Sequence, residues 1–97
     1  MNHLIAPDDI PYLPRGVRLA EDRVRGIRVL QAPERAMQLD AIGEAILSEL
    51  DGARSLSRIA ADLAARYSAP EAQITADMRD FLTGLIERRM VFVKEAA

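Results

Sequence analysis

Apolar and polar positions along this chain change their spacing once. From Val17 to Leu39 they alternate as in strands, and from Ala41 onward they recur every three or four residues as in helices. In "VRLAE", Val17 and Leu19 oppose Arg18 and Ala20, and Glu21-Asp22 is expected to turn the chain. "GIRVLQ" follows with Ile27 and Val29 on one side and Arg28 on the other, until Ala32-Pro33-Glu34 breaks it. Ala36 to Leu39 makes a third strand, with Met37 and Leu39 on one face. Connections this short permit only an antiparallel meander, because parallel neighbours need a long crossover.

Ile42, Ala45, Ile46, Leu47 and Leu50 then place a first helix over 41–50, with Asp40 as its N-cap and Gly52 as the left-handed residue that ends it. Ser55 caps a second helix, whose apolar face is Leu56, Ile59, Ala60, Leu63 and Tyr67. "SAPE" is a tight turn, and Pro70 suits the first position of a third helix running to Arg89. That helix carries a broad stripe of Ile74, Met78, Phe81, Leu82, Leu85 and Ile86, with Arg88 and Arg89 at the end where cations are favoured. "VFVK" closes the chain as a short strand. The order predicts an α+β fold: a small winged-helix-like domain, with a three-stranded antiparallel sheet followed by three helices and a short C-terminal strand.

Residues 1–14 contain Pro7, Pro11 and Pro14, each of which biases its predecessor away from helix, so an extended proline-containing arm is expected there. Ile10, Tyr12 and Leu13 could lie on an apolar surface, and a frayed terminus fits the same residues equally. Residues 15–97 form the single domain, since a chain of 97 residues supplies one core and no second.

Composition narrows the function classes. The chain is 49% hydrophobic and 29% charged with net charge −2, which suits a folded domain and gives no field for attracting nucleic acid or an anionic membrane. No cysteine is present, which removes disulfides, thiolate chemistry and iron–sulfur ligation by this chain. No basic apolar leader and no membrane-length apolar run occur, so the cytoplasm is the expected location. Catalysis is not expected: the single histidine, His3, lies in the arm, and the serines sit at helix ends and turns where capping explains them. One histidine and scattered carboxylates offer no metal site, and no cofactor is implied.

The second and third helices have helix-turn-helix spacing, so a small DNA-binding regulator is the alternative reading. The third helix argues against it, because Glu71, Asp77, Asp80 and Glu87 are set against Arg79, Arg88 and Arg89 where a reader needs basic or amide groups. Peptide recognition has more in its favour. The 36–39 strand would lie at the sheet edge with unpaired backbone groups, and the third helix's stripe could wall a groove beside it. The same features also fit a stripe that only closes the core and an edge that is solvated or covered by the arm.

Pro14-x-Gly16-Val17-Arg18, the Pro33-Glu34-Arg35 turn, Leu39 leading into the first helix, and Asp51-Gly52 followed by Ser55-Leu56 occur here in one order and spacing. From Ile10 to Val93 the chain resembles the PqqD family, the small peptide chaperones of pyrroloquinoline quinone (PQQ) biosynthesis. The resemblance implies a peptide chaperone, of the kind called a RiPP recognition element, that binds the precursor peptide PqqA. It also implies presentation of that peptide to the radical S-adenosylmethionine enzyme PqqE, which cross-links a glutamate and a tyrosine. In the family the peptide adds as a strand beside the third helix. By matching position the edge is Ala36, Met37, Gln38 and Leu39, and the helix wall is Ile74, Asp77, Met78, Phe81 and Leu85. The oligomeric state stays open, a homodimer with an exchanged arm included.

Overall fold

The structure, a computed structural model, describes residues 5–95; His3 lies outside them. The chain runs β1 (Ile10–Tyr12), β2 (Arg18–Asp22), β3 (Ile27–Ala32), β4 (Arg35–Gln38), α1 (Ala41–Ser48), α2 (Leu56–Tyr67), α3 (Glu71–Glu87) and β5 (Phe92–Lys94). Strands β2, β3 and β4 form the expected antiparallel meander in that order, with Leu19 opposite Leu30 and Leu30 opposite Met37. Their shared apolar face rests on the helices: Leu30, Leu47, Leu56, Ile59 and Leu82 are buried in one cluster.

The first hairpin turns later than the sequence suggests. Glu21 and Asp22 belong to β2, and the turn is Arg23–Gly26. The Asp22 carboxylate accepts from the Val24 and Arg25 amides, and Gly26 takes the positive φ of 67° that closes the turn.

Asp40 and Ser55 cap their helices as expected, accepting from the amides of Gly43 (2.7 Å) and Arg58 (3.2 Å). The first helix, however, stops at Ser48 rather than Leu50. The Glu49 and Leu50 amides donate to Ile46 and Leu47, three residues back, which tightens the last turn. Gly52 is left-handed at φ 72° but sits beyond that turn, in the loop before α2. Pro70 stands one position before α3, at its N-cap.

That helix ends at Glu87, two residues short of the expected Arg89. Arg89 N–H donates to the Ile86 carbonyl and Met90 N–H to the Leu85 carbonyl, the paired bonds of a Schellman cap. Its left-handed position, usually glycine, is held by Arg89 at φ 60°.

Pairing of β1 with β5 is a second, two-stranded sheet that the sequence pattern does not announce: Ile10 lies opposite Lys94 and Tyr12 opposite Phe92. The Tyr12 and Phe92 rings meet edge to face at 6.2 Å, and Lys94 Nζ lies 5.1 Å from the Tyr12 ring centre. The segment before β1 is docked on its own chain. Ile5 is buried in the main cluster, and the Pro7 and Asp9 carbonyls accept from the Ser57 and Leu56 amides. Those amides belong to the open first turn of α2 and would otherwise need water.

An ion network ties the end of α1 to α2. Arg54 donates to Asp51 and Asp62 at 2.8 Å each and to the Glu49 carbonyl at 2.7 Å, while Arg66 holds Glu49 at 3.0 Å. Amide donation from Arg54 and Ala53, with the Arg54 guanidinium, holds Asp51 far below the usual carboxylate range. The Arg66 guanidinium does the same for Glu49, and Arg54 for Asp62, to a smaller degree.

Candidate peptide-binding edge and groove

Among the described residues β4 pairs with β3 alone, so its other edge is free. The register decides which groups that edge presents. Leu39 N–H donates to the Arg28 carbonyl at 2.9 Å, and the two residues continue the β3–β4 register. In an antiparallel ladder hydrogen-bonded pairs alternate with non-bonded ones. Met37 and Arg35 therefore spend their amides and carbonyls on Leu30 and Ala32, whereas Ala36 and Gln38 direct theirs away from the sheet. Ala36 and Gln38 are exposed and Met37 half-buried, while Leu39 points into the core.

This edge meets the end of α3 at Arg88, the last member of one stripe of that helix. Ile74, Met78, Phe81, Leu85 and Arg88 are spaced four, three, four and three residues apart and so share a face about 21 Å long. Two hollows touch its ends. Toward the start of α3, Ile74, Asp77 and Met78 join Ala41, Ile42, Ala45, Ile46, Leu63 and Tyr67 around an apolar hollow of 380 Å³. Ile42 and Tyr67 stand 65% and 60% exposed at its rim, well beyond what helical spacing alone would suggest for an apolar face. Toward the end of α3, Ala36 and Met37 of β4 face Arg88 and Met90 across a smaller hollow of 280 Å³. Arg88 Nη1 approaches the Met37 sulfur at 3.6 Å, and Arg35 donates to the Arg88 carbonyl, so strand and helix end are tied together.

Along α3, Phe81 falls between the residues of the two hollows and packs against Gly43 of α1. A Cβ on Gly43 would come within 3.0 Å of Phe81 Cζ, so the ring would have to give by a few tenths of an ångström to admit a side chain there.

Of the nine residues singled out in the sequence, Ala36, Met37 and Gln38 form the free edge, and Ile74, Asp77 and Phe81 line the half-open face of α3. Leu39, Met78 and Leu85 are buried. Met78 lies under the first hollow, and Leu85 supplies the apolar side of the Schellman cap rather than a groove wall. Residues outside those nine are Ile42 and Tyr67, which periodicity assigned to the apolar faces of their helices, together with Gly43, Arg35 and Arg88. A glycine inside an otherwise good helix was the one signal available for Gly43. No group of three metal-ligating side chains occurs among the described residues.

Comparison with known proteins bears on this arrangement. Residues 28–91 match the family model described as coenzyme PQQ synthesis protein D (PqqD). A protein named "PqqA binding protein" from Rhizobium meliloti is 51% identical over 88 residues, covering 91% of this chain and 90% of the relative. The chain belongs to the PqqD family. The solution structure of the PqqD portion of Methylobacterium extorquens PqqCD, described as a stand-alone RiPP recognition element, superposes with a TM-score of 0.78 at 43% identity. It covers 91% of this chain and 94% of that one. The crystal structure of PqqD from Xanthomonas campestris, 41% identical, gives 0.57 over 89% of this chain and 96% of its own. The PqqD match begins in β3 and ends just after α3, so it contains the free edge, the α3 stripe and both hollows.

Proposed function

We propose that the protein is a non-catalytic chaperone that binds the precursor peptide PqqA on β4 and presents it to the radical S-adenosylmethionine enzyme PqqE. The observation that carries this reading is the free β4 edge, whose outward groups are those of Ala36 and Gln38 and whose Ala36 and Met37 face the end of α3 across the smaller hollow. The peptide adds as a fourth strand of the β2–β3–β4 sheet and seats apolar side chains in the hollows at Ile42 and Met37. Relatives bearing the name "PqqA binding protein" support the choice of peptide. Chemistry belongs to the enzyme partner; this chain supplies effective concentration. The work takes place in the cytoplasm, where a ribosomal precursor is made.

Titration of isotope-labelled protein with PqqA tests the reading. Amide shifts concentrated in residues 36–39 and along α3 from Ile74 to Arg88 are expected, with saturation at micromolar peptide. Absence of binding at tens of micromolar overturns the function, and shifts confined to other surfaces overturn the site. Adding PqqE to the peptide complex should give a ternary species by size-exclusion chromatography.

A further inference from the structure

At the corner where β4 begins and α3 ends, a hollow of 560 Å³ is lined by Arg15, Arg35 and Arg89 together with Pro33, Phe92 and a single acid, Glu34. Arg88 adjoins it through the neighbouring hollow that Arg35 also lines. Five other arginines hold described carboxylates; none of these four does. The geometry of Arg89 is a second, independent sign. It occupies the left-handed position of the α3 cap at φ 60°, where glycine would fit without strain. Strained non-glycine residues persist where the surrounding structure holds them in place, and they cluster at binding sites and ligand clamps.

The opposite end of the α3 stripe carries Asp77 at the apolar hollow. The groove is thus cationic at the Arg35 end and apolar to acidic at the other. A guest strand added antiparallel, like both junctions already in the sheet, meets Gln38 first and leaves past Arg35.

Resting on the peptide-binding reading, we propose that the Arg15–Arg35–Arg89 hollow is a carboxylate subsite. It receives an Asp or Glu just C-terminal to the β4-paired stretch of the peptide, and so fixes the direction and register of a guest whose backbone pairing alone is sequence-blind. Exposed ion pairs are weak singly, so two or three of them should change affinity about five- to ten-fold. The effect should shrink as salt rises from 50 to 300 mM.

The test is a double-mutant cycle measured by calorimetry. PqqA, and PqqA variants with each Asp or Glu in turn replaced by its amide, are titrated into the wild type, Arg89→Gly and Arg15→Gln. Arg89→Gly should melt higher than the wild type, because strain is relieved, and still bind PqqA several-fold more weakly. Arg15→Gln leaves the cap untouched and should weaken binding in the same way. One peptide carboxylate should lose its contribution in both variants, whereas Arg23→Gln at the hairpin tip should change nothing. PqqA that shifts the β4 amides but shows no carboxylate coupled to either arginine overturns the subsite and leaves the peptide-binding function standing. PqqA that does not bind the wild type at all overturns both. Unchanged PqqA affinity together with lost association of PqqE assigns the corner to the enzyme and also overturns the subsite.

Discussion

Substituting proline along β4 separates the free edge from the paired one. In Gln38→Pro the lost amide points away from β3, so the β3–β4 ladder keeps its bonds, and an edge strand accommodates the ring. Stability should change by less than about 1 kcal/mol. A peptide paired at this position loses one hydrogen bond, worth ~0.5–1.5 kcal/mol. Its own carbonyl is then left facing the ring, which brings the total to about 1–3 kcal/mol, or roughly 5- to 150-fold in Kd. Met37→Pro is the opposite case. Its amide belongs to the bonded pair with Leu30, and its side chain packs on the core. That change strands the Leu30 carbonyl at ~1–3 kcal/mol and forfeits part of the ~1.5–3 kcal/mol from burying a methionine. The two variants should therefore dissociate cleanly: Gln38→Pro folded and binding-deficient, Met37→Pro destabilised. Urea midpoints measure the first property and calorimetry with PqqA the second. A folded Gln38→Pro with wild-type affinity would falsify the register derived from the Leu39–Arg28 bond.

Three further changes probe other parts of the structure. Ile42→Asp places an acid in the first turn of α1, where the helix favours it, and removes an exposed apolar side chain from the rim of the hollow. It should leave the melting temperature unchanged and weaken PqqA binding about ten-fold, as losing most of one buried apolar side chain would. Leu82→Ala empties a fully buried site and should cost about 2–5 kcal/mol, read as a lower urea midpoint. Arg54→Ala should lower the melting temperature by several degrees, because it unties Asp51, Asp62 and the Glu49 carbonyl together. The same network fixes the acid limb. The folded-state carboxylates of Asp51, Glu49 and Asp62 are held below their unfolded values, so their stabilisation is complete above about pH 4.5 and is lost as pH falls below it. Urea midpoints between pH 5 and pH 2.5 should fall in the wild type and fall less steeply in Arg54→Ala.

The sheet and the helices were legible because their signals are local. A change of period at Asp40, a side-chain cap at Asp40 and Ser55, and a proline corner at residue 33 each act within a few residues. The β1–β5 pairing was not, because three-residue strands about eighty positions apart carry no period of their own; only Ile10, Tyr12 and Phe92 hinted at it. Periodicity also assigned the α3 stripe without saying which members are covered. Met78 and Leu85 lie on the same stripe as Ile74 and Phe81, yet α2 and the cap bury the first pair and leave the second half-open. At the ends of α1 and α3, hydrogen bonds three or five residues long replaced the regular ones, and nothing in the residue types at Glu49 or Arg89 announces that.

A free edge is a liability unless it is limited, and β4 limits it in three ways. It is four residues long, begins just after Pro33, and carries exposed polar side chains at Arg35 and Gln38. Only Ala36 and Gln38 offer outward groups, so a guest strand gains about four hydrogen bonds at ~0.5–1.5 kcal/mol each. One or two seated side chains add ~1.5–3 kcal/mol each, and ordering the peptide costs several in return. With these terms at their upper ends the balance lies near −8 kcal/mol, about micromolar. With an association rate near ~10⁶ M⁻¹s⁻¹, a micromolar complex releases its peptide about once per second. On the proposed reading that weakness is functional. A longer edge would hold the precursor past the time an enzyme needs to take it, and would also invite a second copy of the sheet. Direction and register, which so short an edge cannot enforce alone, then fall to the side chains at its two ends: the apolar rim at Ile42 and the arginines around residue 35.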